Sequence, residues 1–199
     1  MDRLQTIVIA FAGCLLLACS AKGSKPPEEA ASRVNAVASK TEIVSLEAFC
    51  DVRAPLSKAK TFHLPALADG KKSRVFAGWR WTNVWATWCE PCIEEMPMLM
   101  QWETKLQRQG RKLDLEFLSV DSTQELVMRF RSSHPETPDG VRISDFGLLP
   151  DWLSSLGLDE GATIPIHIIT NPSNQVRCVR TGAINETDYP AILEVLSQG

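Results

Sequence analysis

Two cysteines, Cys89 and Cys92, stand where a predicted strand meets a predicted helix, and this junction constrains the fold more than any other feature. The preceding segment, 79–86 (WRWTNVWA), is aromatic and β-branched, which is typical of a buried strand. From 90 to 109, apolar residues recur at helical spacing, and Pro91 suits the first turn. The free N–H groups and the dipole at a helix N-terminus stabilise an anion, so they favour a thiolate at Cys89. The sequence therefore predicts a reactive thiol at the start of the helix.

A C-x-x-C pair also occurs in zinc sites and at points of haem attachment. Haem attachment requires a histidine after the second cysteine, and Ile93 stands there instead. A structural zinc site needs four ligands, usually a second cysteine pair or paired histidines, whereas this chain has three widely separated histidines. Disulfide exchange fits better, because the Cys89 thiolate can attack a disulfide and Cys92 can then release the substrate.

The N-terminus resembles that of a bacterial lipoprotein. An apolar run, Ile7–Leu17, is long enough for a signal-peptide core but too short to span a bilayer, and it leads into LLAC, which ends at Cys19. Cleavage before Cys19 would leave residues 1–18 as the signal peptide and place lipid on Cys19. An ordinary secretory signal and an uncleaved anchor stay open as alternatives.

The residues after Cys19 divide into a linker and one domain. Residues 19–41 are small and polar with two prolines, which predicts a lipidated N-terminus followed by a flexible linker. Residues 42–199 are long enough to form one domain with a proper core. The net charge of −3 and the lack of a basic patch argue against a nucleic-acid partner. We expect an extracytoplasmic protein, anchored through Cys19 to the periplasmic side of the inner or outer membrane.

The chain has six cysteines, and their number predicts a second disulfide. Cys14 would leave with the signal peptide and Cys19 would carry lipid. Because Cys89 and Cys92 form one pair, Cys50 and Cys178 remain for a structural disulfide in an oxidising compartment. In the alternative, Cys178 is a small buried hydrophobe and Cys50 is an unrelated thiol.

Beyond the C-x-x-C pair, strands and helices are predicted along the whole domain. Periodicity predicts strands over 113–121, 163–170 and 175–182, and helices over 124–134, 148–158 and 188–197. This order, together with the segments NVWATWCEPC, EEMP and T-I-P, resembles the TlpA/ResA-like branch of the thioredoxin superfamily. The resemblance covers about 42–199. It implies an α/β thioredoxin-like fold, with a central mixed sheet flanked by helices, an N-terminal extension and a central strand–helix insert.

The resemblance also implies roles for single residues. Cys89 is the nucleophile, Cys92 is the resolving cysteine, and Pro165 is the cis-proline that faces the disulfide. Ile164, before that proline, is the residue that modulates reactivity. The expected substrate-binding residues are Trp88, Glu90, Pro91 and Ile164.

An acidic residue near the pair is implied to move protons. Glu95, three residues after Cys92, matches the active-site glutamate of the cytochrome-maturation members, which connects the chain with cytochrome c maturation. Thioredoxin has a buried aspartate where this chain has Asn83, so Glu95 becomes the proton acceptor. In the alternative, Glu95 only complements the helix dipole, the role we expect for Glu94.

These features predict a membrane-tethered thiol–disulfide oxidoreductase with no cofactor beyond its own disulfide. Its expected partners are the thiols and disulfides of extracytoplasmic proteins and an upstream electron-donor thiol protein. Glu90 and Glu95 disfavour a thiolate at Cys89, which predicts a reductant. The alternatives are a copper-binding chaperone or redox sensor that uses Cys89, Cys92 and His167, and a binding lipoprotein whose disulfide never turns over.

Overall fold

The computed structural model of the chain describes residues 45–159 and 161–198. The predicted signal peptide (1–18), the lipidated linker (19–41) with Cys19, and the first residues of the predicted domain lie outside the described residues. Within the described ranges, no helix combines the length and the apolar character needed to cross a membrane.

Five strands and five helices form the described part of the chain. The strands are β1 (Trp79–Trp85), β2 (Leu113–Ser119), β3 (Gly140–Arg142), β4 (Ile166–Thr170) and β5 (Val176–Thr181). The helices are α1 (Leu46–Phe49), α2 (Glu90–Arg108), α3 (Gln124–Ser133), α4 (Leu149–Leu156) and α5 (Tyr189–Ser197). Short 3₁₀ turns occur at Leu56–Lys58, Ala68–Gly70, Phe146–Leu148 and Glu186–Asp188.

The strands form one mixed sheet in the order β3-β2-β1-β4-β5. The pairs β1–β2 and β2–β3 are parallel, while β4 runs antiparallel to both β1 and β5. A mixed sheet with helices on its faces confirms the predicted fold class. β1 is fully buried and central, so the segment that follows it, with both cysteines, starts at one end of the sheet core.

Helices cover both faces of the sheet. On one face, Trp81 contacts Trp102 of α2, with ring centroids 6.2 Å apart, and Trp102 in turn contacts Tyr189 of α5. On the other face, Arg80 stacks over Phe62, which packs against Trp152 of α4. The alternation of side chains along β1 places Trp81 and Asn83 towards α2, whereas Trp85, at the end of the strand, packs against Phe130 of α3.

Two elements were not predicted, and one begins later than predicted. β3 has three residues and pairs only with β2, so it carries little hydrophobic pattern. At Gly140, a Cβ atom would lie 2.3 Å from the Phe117 carbonyl oxygen, which explains glycine at this close approach. The helix α1 is a single turn.

β4 begins at Ile166 rather than 163, because Pro165 has no N–H to donate to the ladder.

A disulfide between Cys50 and Cys178 joins the N-terminal segment to the edge strand β5. The two Cα atoms are 5.4 Å apart, and both residues are buried. Next to the bridge, the backbones of Val52 and Val179 exchange two hydrogen bonds of 2.9 and 3.1 Å. The covalent bond and this short β-bridge together fix the extension against the sheet.

Candidate active site

The second disulfide, Cys89–Cys92, lies at the N-terminus of α2. Cys89 is the N-cap residue, and Cys92 lies in the first turn with no exposed surface, whereas 5% of Cys89 is exposed. Cys89 is therefore the more accessible residue of the two. The free N–H groups of the first helical turn stabilise the thiolate that forms there when the disulfide is reduced.

The buried carboxylate of Asp121 fixes the loop between β1 and the disulfide. Asp121 accepts a 2.7 Å hydrogen bond from the Thr87 hydroxyl and bonds of 3.1 and 3.3 Å from the Thr87 backbone N–H. The Ser119 hydroxyl donates to the same carboxylate at 2.8 Å. Because Thr87 lies two residues before Cys89, these bonds position the start of the redox motif. Sequence reasoning missed this role, since a single aspartate at a strand end gives no distinctive signal.

A largely apolar groove of about 460 Å³ runs beside Cys89. The expected substrate-binding residues all line it: Trp88, Glu90, Pro91 and Ile164. Residues that sequence reasoning missed complete the wall: Val120, Phe146, Leu149, Ala162 and Thr163. Trp88 is 64% exposed and Phe146 is 49% exposed, so both present bare aromatic surface next to the disulfide. The apolar run FGLL, which begins at Phe146, was the available signal, but only its last two residues were interpreted, as the start of the helix predicted over 148–158.

The peptide bond between Ile164 and Pro165 is cis. Because Ile164 and Cys89 line the same groove, this bond lies beside the redox motif, as the resemblance implies. Pro165 accepts a 2.9 Å hydrogen bond at its carbonyl from the Gly182 N–H, which ties the segment to the end of β5. The role of Pro165 in catalysis stays a prediction.

Glu95 is buried in α2, one turn from Cys92. Its Oε1 accepts a 2.9 Å hydrogen bond from Asn83 Nδ2, and its Oε2 accepts a 3.0 Å bond from the Ile184 N–H. A side chain that only complemented the helix dipole would lie at the surface, as Glu94 does. Glu95 and Cys92 are thus both buried, one helical turn apart, and proton exchange between them stays a prediction.

His167 is completely buried on β4, directly opposite Asn83 on β1. Its Nδ1 accepts a 3.3 Å hydrogen bond from the Trp81 indole N–H, and its Nε2 lies 3.4 Å from Glu95 Oε1. His167 thus joins Asn83 and Glu95 in one buried polar cluster. In the part of the chain that the structure describes, no three His, Cys, Asp or Glu side chains are grouped to hold a metal ion.

Curated proteins with similar sequences come from Bacillus subtilis (strain 168). The chain is 25% identical over 133 residues to the thiol-disulfide oxidoreductase ResA. This match covers 67% of this chain and 66% of ResA. The chain is also 28% identical over 72 residues to the thioredoxin-like protein YneN, and this match covers 36% of this chain and 39% of YneN. The matched part is slightly less than two thirds of ResA and well under half of YneN. By sequence, the chain is thus similar to a thiol-disulfide oxidoreductase and to a thioredoxin-like protein.

A solved structure has a similar fold. A crystal structure of a DsbF homologue from Corynebacterium diphtheriae has a TM-score of 0.54 to this chain at 16% identity. The superposition covers 74% of this chain and 92% of that one. No protein-family model matches the chain. The disulfide, the cis-proline and the groove together form the candidate site.

Proposed function

We propose that the chain is a thiol–disulfide oxidoreductase that reduces disulfides of proteins through Cys89 and Cys92. One observation carries the proposal: a disulfide at a helix N-terminus opens onto an apolar groove beside a cis-proline. The similarity to a protein named thiol-disulfide oxidoreductase supports it.

The reaction begins with both cysteines reduced. The Cys89 thiolate attacks a substrate disulfide, forms a mixed disulfide and releases one substrate thiolate, which takes up a proton. Cys92 then loses its proton and attacks the Cys89 sulfur, so the intramolecular disulfide forms and the second substrate thiol leaves. Two electrons pass to the substrate, and an upstream thiol protein restores the reduced pair. The groove supplies contacts for apolar residues beside the substrate cysteine.

Insulin reduction by dithiothreitol tests this activity. We expect turnover by the full chain, none by Cys89→Ser, and a trapped mixed disulfide with Cys92→Ser. The assay is run with and without a copper chelator. Turnover that is unaffected by the chelator supports the oxidoreductase. Tight copper binding without turnover would favour the copper-binding alternative. If the protein shows neither turnover nor copper binding, a binding protein whose disulfide never turns over would be favoured.

The direction of electron flow follows from the acids around the pair. Glu90, between the two cysteines, and Glu95, one turn farther along, both disfavour a thiolate at Cys89 and so favour the oxidised form of this pair. The pair therefore gives up electrons readily, and we expect a potential more negative than about −200 mV. Equilibration with glutathione measures it, and a value near the roughly −120 mV of strong oxidants would contradict a reductant.

We also propose that the protein is extracytoplasmic and anchored by lipid on Cys19. The apolar run before LLAC supports this location. Cys19→Ala should release the protein from the membrane fraction and abolish labelling with palmitate. Cys14→Ala is the matched control, because it changes a cysteine in the same segment and should leave both properties unchanged.

As a substrate class, we propose the disulfide of a C-x-x-C-H segment, the haem-attachment motif of c-type cytochromes. The position of Glu95 after the cysteine pair supports this choice through the family resemblance. An oxidised C-x-x-C-H peptide should be reduced faster than the same residues in scrambled order, with dithiothreitol as donor. Equal rates of reduction of the two peptides would show that the protein is a general reductase with no preference for haem-attachment segments.

A further inference from the structure

A cavity of about 410 Å³ lies at the end of β1 that is farther from the cysteines. Arg80, the second residue of β1, lines it, whereas the cysteine pair follows the last residue of that strand. The five positions from Arg80 to Trp85 correspond to about 16 Å of extended chain. The described residues that line the cavity include two arginines and no aspartate or glutamate. We name this cavity the arginine pocket, and its lining residues include Phe62, Arg74, Phe76, Arg80, Thr170 and Asn174.

Two phenylalanine rings hold the guanidinium group of Arg80. Its central carbon lies 4.8 Å from the centroid of the Phe62 ring and 4.7 Å from that of the Phe76 ring. The guanidinium of Arg74 lies over the same Phe76 ring, at 5.2 Å. One aromatic ring thus contacts both cations and brings two positive charges to the same cavity. A guanidinium that packs on aromatic faces keeps its N–H edge available for a planar anion.

Two buried side chains of the arginine pocket have polar atoms without a partner. Arg80 is 6% exposed and donates to Glu116 through Nη2, but its Nε has no hydrogen-bond acceptor. Thr170 is 1% exposed, and its hydroxyl has no partner. The two residues are opposite each other in the antiparallel register of β1 and β4, so their side chains lie on the same face of the sheet. Because buried polar groups are almost always paired, these two atoms indicate that a polar ligand belongs here.

The charges of the arginine pocket favour a ligand with a single negative charge. Glu116 offsets the charge of Arg80, so about one positive charge remains, on Arg74. Burial lowers the pKa of Arg80, Glu116 raises it, and the nearby charge of Arg74 lowers it. A bound anion would offset both the burial and the repulsion between the two arginines. A carboxylate has one charge and accepts two parallel N–H bonds from a guanidinium, whereas a phosphate group carries about −1.5 to −2 charges at neutral pH.

Hydrogen bonds hold the walls of the arginine pocket in place. The Phe62 N–H donates to the Asn174 carbonyl at 2.8 Å, and Asn174 Nδ2 donates to the Phe62 carbonyl at 2.8 Å. Arg74 Nη2 donates to the Leu115 carbonyl at 3.1 Å. A ligand that enters such a site pays little to order the groups that bind it.

We propose that the arginine pocket binds a carboxylate that is attached to an apolar group, either in a small organic acid or at the C-terminus of a peptide. The carboxylate lies between Arg74 and Arg80. The apolar group covers Phe76 and the neighbouring Val75, which lines the same pocket and is 99% exposed. Binding does not use the cysteines, so this site is independent of thiol–disulfide exchange.

Two matched pairs of probes test the ligand class on the oxidised full chain. The first pair is benzoate and benzamide, and the second is N-acetyl-alanyl-phenylalanine and its C-terminal amide. NMR of the arginine side-chain N–H groups should show shifts for Arg74 and Arg80, with at least one carboxylate binding about tenfold more tightly than its amide. Tighter binding of benzoate would identify a small organic acid, and tighter binding of the peptide would identify a C-terminus.

Two outcomes of these titrations would overturn the proposal. If neither carboxylate binds more tightly than its amide, the arginine pocket is not a carboxylate site. If inorganic phosphate binds there more tightly than both carboxylates, the ligand class is wrong. The titrations need no turnover, so their failure and a failure of insulin reduction are separate results.

A matched pair of arginine variants tests the place of binding. Arg74→Gln removes an exposed guanidinium and leaves the buried pair of Arg80 and Glu116 intact, so the domain should fold while carboxylate binding weakens about tenfold. Arg129→Gln is the control, because Arg129 is an exposed residue of α3 that does not line the arginine pocket, and it should leave binding unchanged. Equal binding by both variants would show that the carboxylate is not held by Arg74, and the proposal would fail.

Discussion

Asn83 Nδ2 lies 2.9 Å from Glu95 Oε1, and this buried hydrogen bond joins the strand that leads into the disulfide to the helix that leads away from it. Neither residue has more than a trace of exposed surface. In such surroundings a bond to a charged group is stronger than at the surface, and losing one partner leaves a buried carboxylate less well solvated.

Replacing Asn83 should therefore destabilise the domain through Glu95. We expect Asn83→Leu to lower the free energy of unfolding by about 1.5–3 kcal/mol, measured by urea denaturation. In a Glu95→Gln background the same change should cost less, because no charge is left without its donor. Equal losses in the two backgrounds would show that Asn83 and Glu95 are not coupled.

The exposed aromatic rim of the groove should contribute to substrate binding rather than to stability. Trp88→Ala is expected to raise the KM for a disulfide-bonded peptide about tenfold, because a bound peptide would cover the indole. The free energy of unfolding should change by less than about 0.5 kcal/mol. Met128→Ala, on the exposed face of α3, is the control and should leave KM unchanged. An unchanged KM in Trp88→Ala would remove the groove from the substrate site.

Asp121 should affect the reactivity of Cys89 without touching it. Asp121→Ala leaves the donors of Thr87 and Ser119 without their acceptor, which should cost about 2–3 kcal/mol of unfolding free energy. Because the loop before Cys89 loosens, the alkylation of Cys89 in the reduced protein should slow by about tenfold. Asp51→Ala is a close control: Asp51 accepts from the Thr181 N–H and hydroxyl, but at an exposed site. Equal rates in both variants would contradict the positioning role.

The two disulfides should divide stability and activity between them. The Cys50–Cys178 bridge encloses 128 positions, so Cys50→Ser with Cys178→Ser should lower the unfolding free energy by roughly 2–5 kcal/mol. The Cys89–Cys92 bridge spans only three positions, so replacing both cysteines should cost much less but abolish insulin reduction. The reverse pattern would make Cys50–Cys178 the redox pair.

Glu103 should give the domain a measurable pH dependence. Burial raises the pKa of its carboxyl, partly offset by the 2.7 Å hydrogen bond from the Leu115 N–H. The folded state therefore keeps this proton at a pH where the unfolded chain has lost it, so the cost of burying Glu103 appears as pH rises above about 4.3. Glu103→Gln should be more stable than the unsubstituted protein at pH 7 and gain nothing near pH 3. A gain of equal size at both pH values, from urea denaturation, would exclude this mechanism.

Local patterns predicted most of the fold. The helix that follows the cysteine pair was predicted over 90–109 and runs Glu90–Arg108, because its apolar spacing and its proline in the first turn are both local signals. β1, β2 and β5 were likewise found within two residues of their ends, since each is a run of apolar and β-branched residues. β3 was missed because three residues with one neighbouring strand leave no periodic pattern.

The sequence by itself determined the redox motif, the α/β class and the even number of cysteines available for pairing, since each depends on residues close together in the chain or on a simple count. Only the tertiary structure decided which distant residues meet. The antiparallel register of β1 and β4 sets Asn83 opposite His167, 84 positions away, and the end of β5 brings the Ile184 N–H to Glu95. Likewise, Phe146 reaches the groove of Cys89 only because the loops at one end of the sheet converge there. Such contacts follow from strand register and chain crossing, which no local spacing of residues encodes.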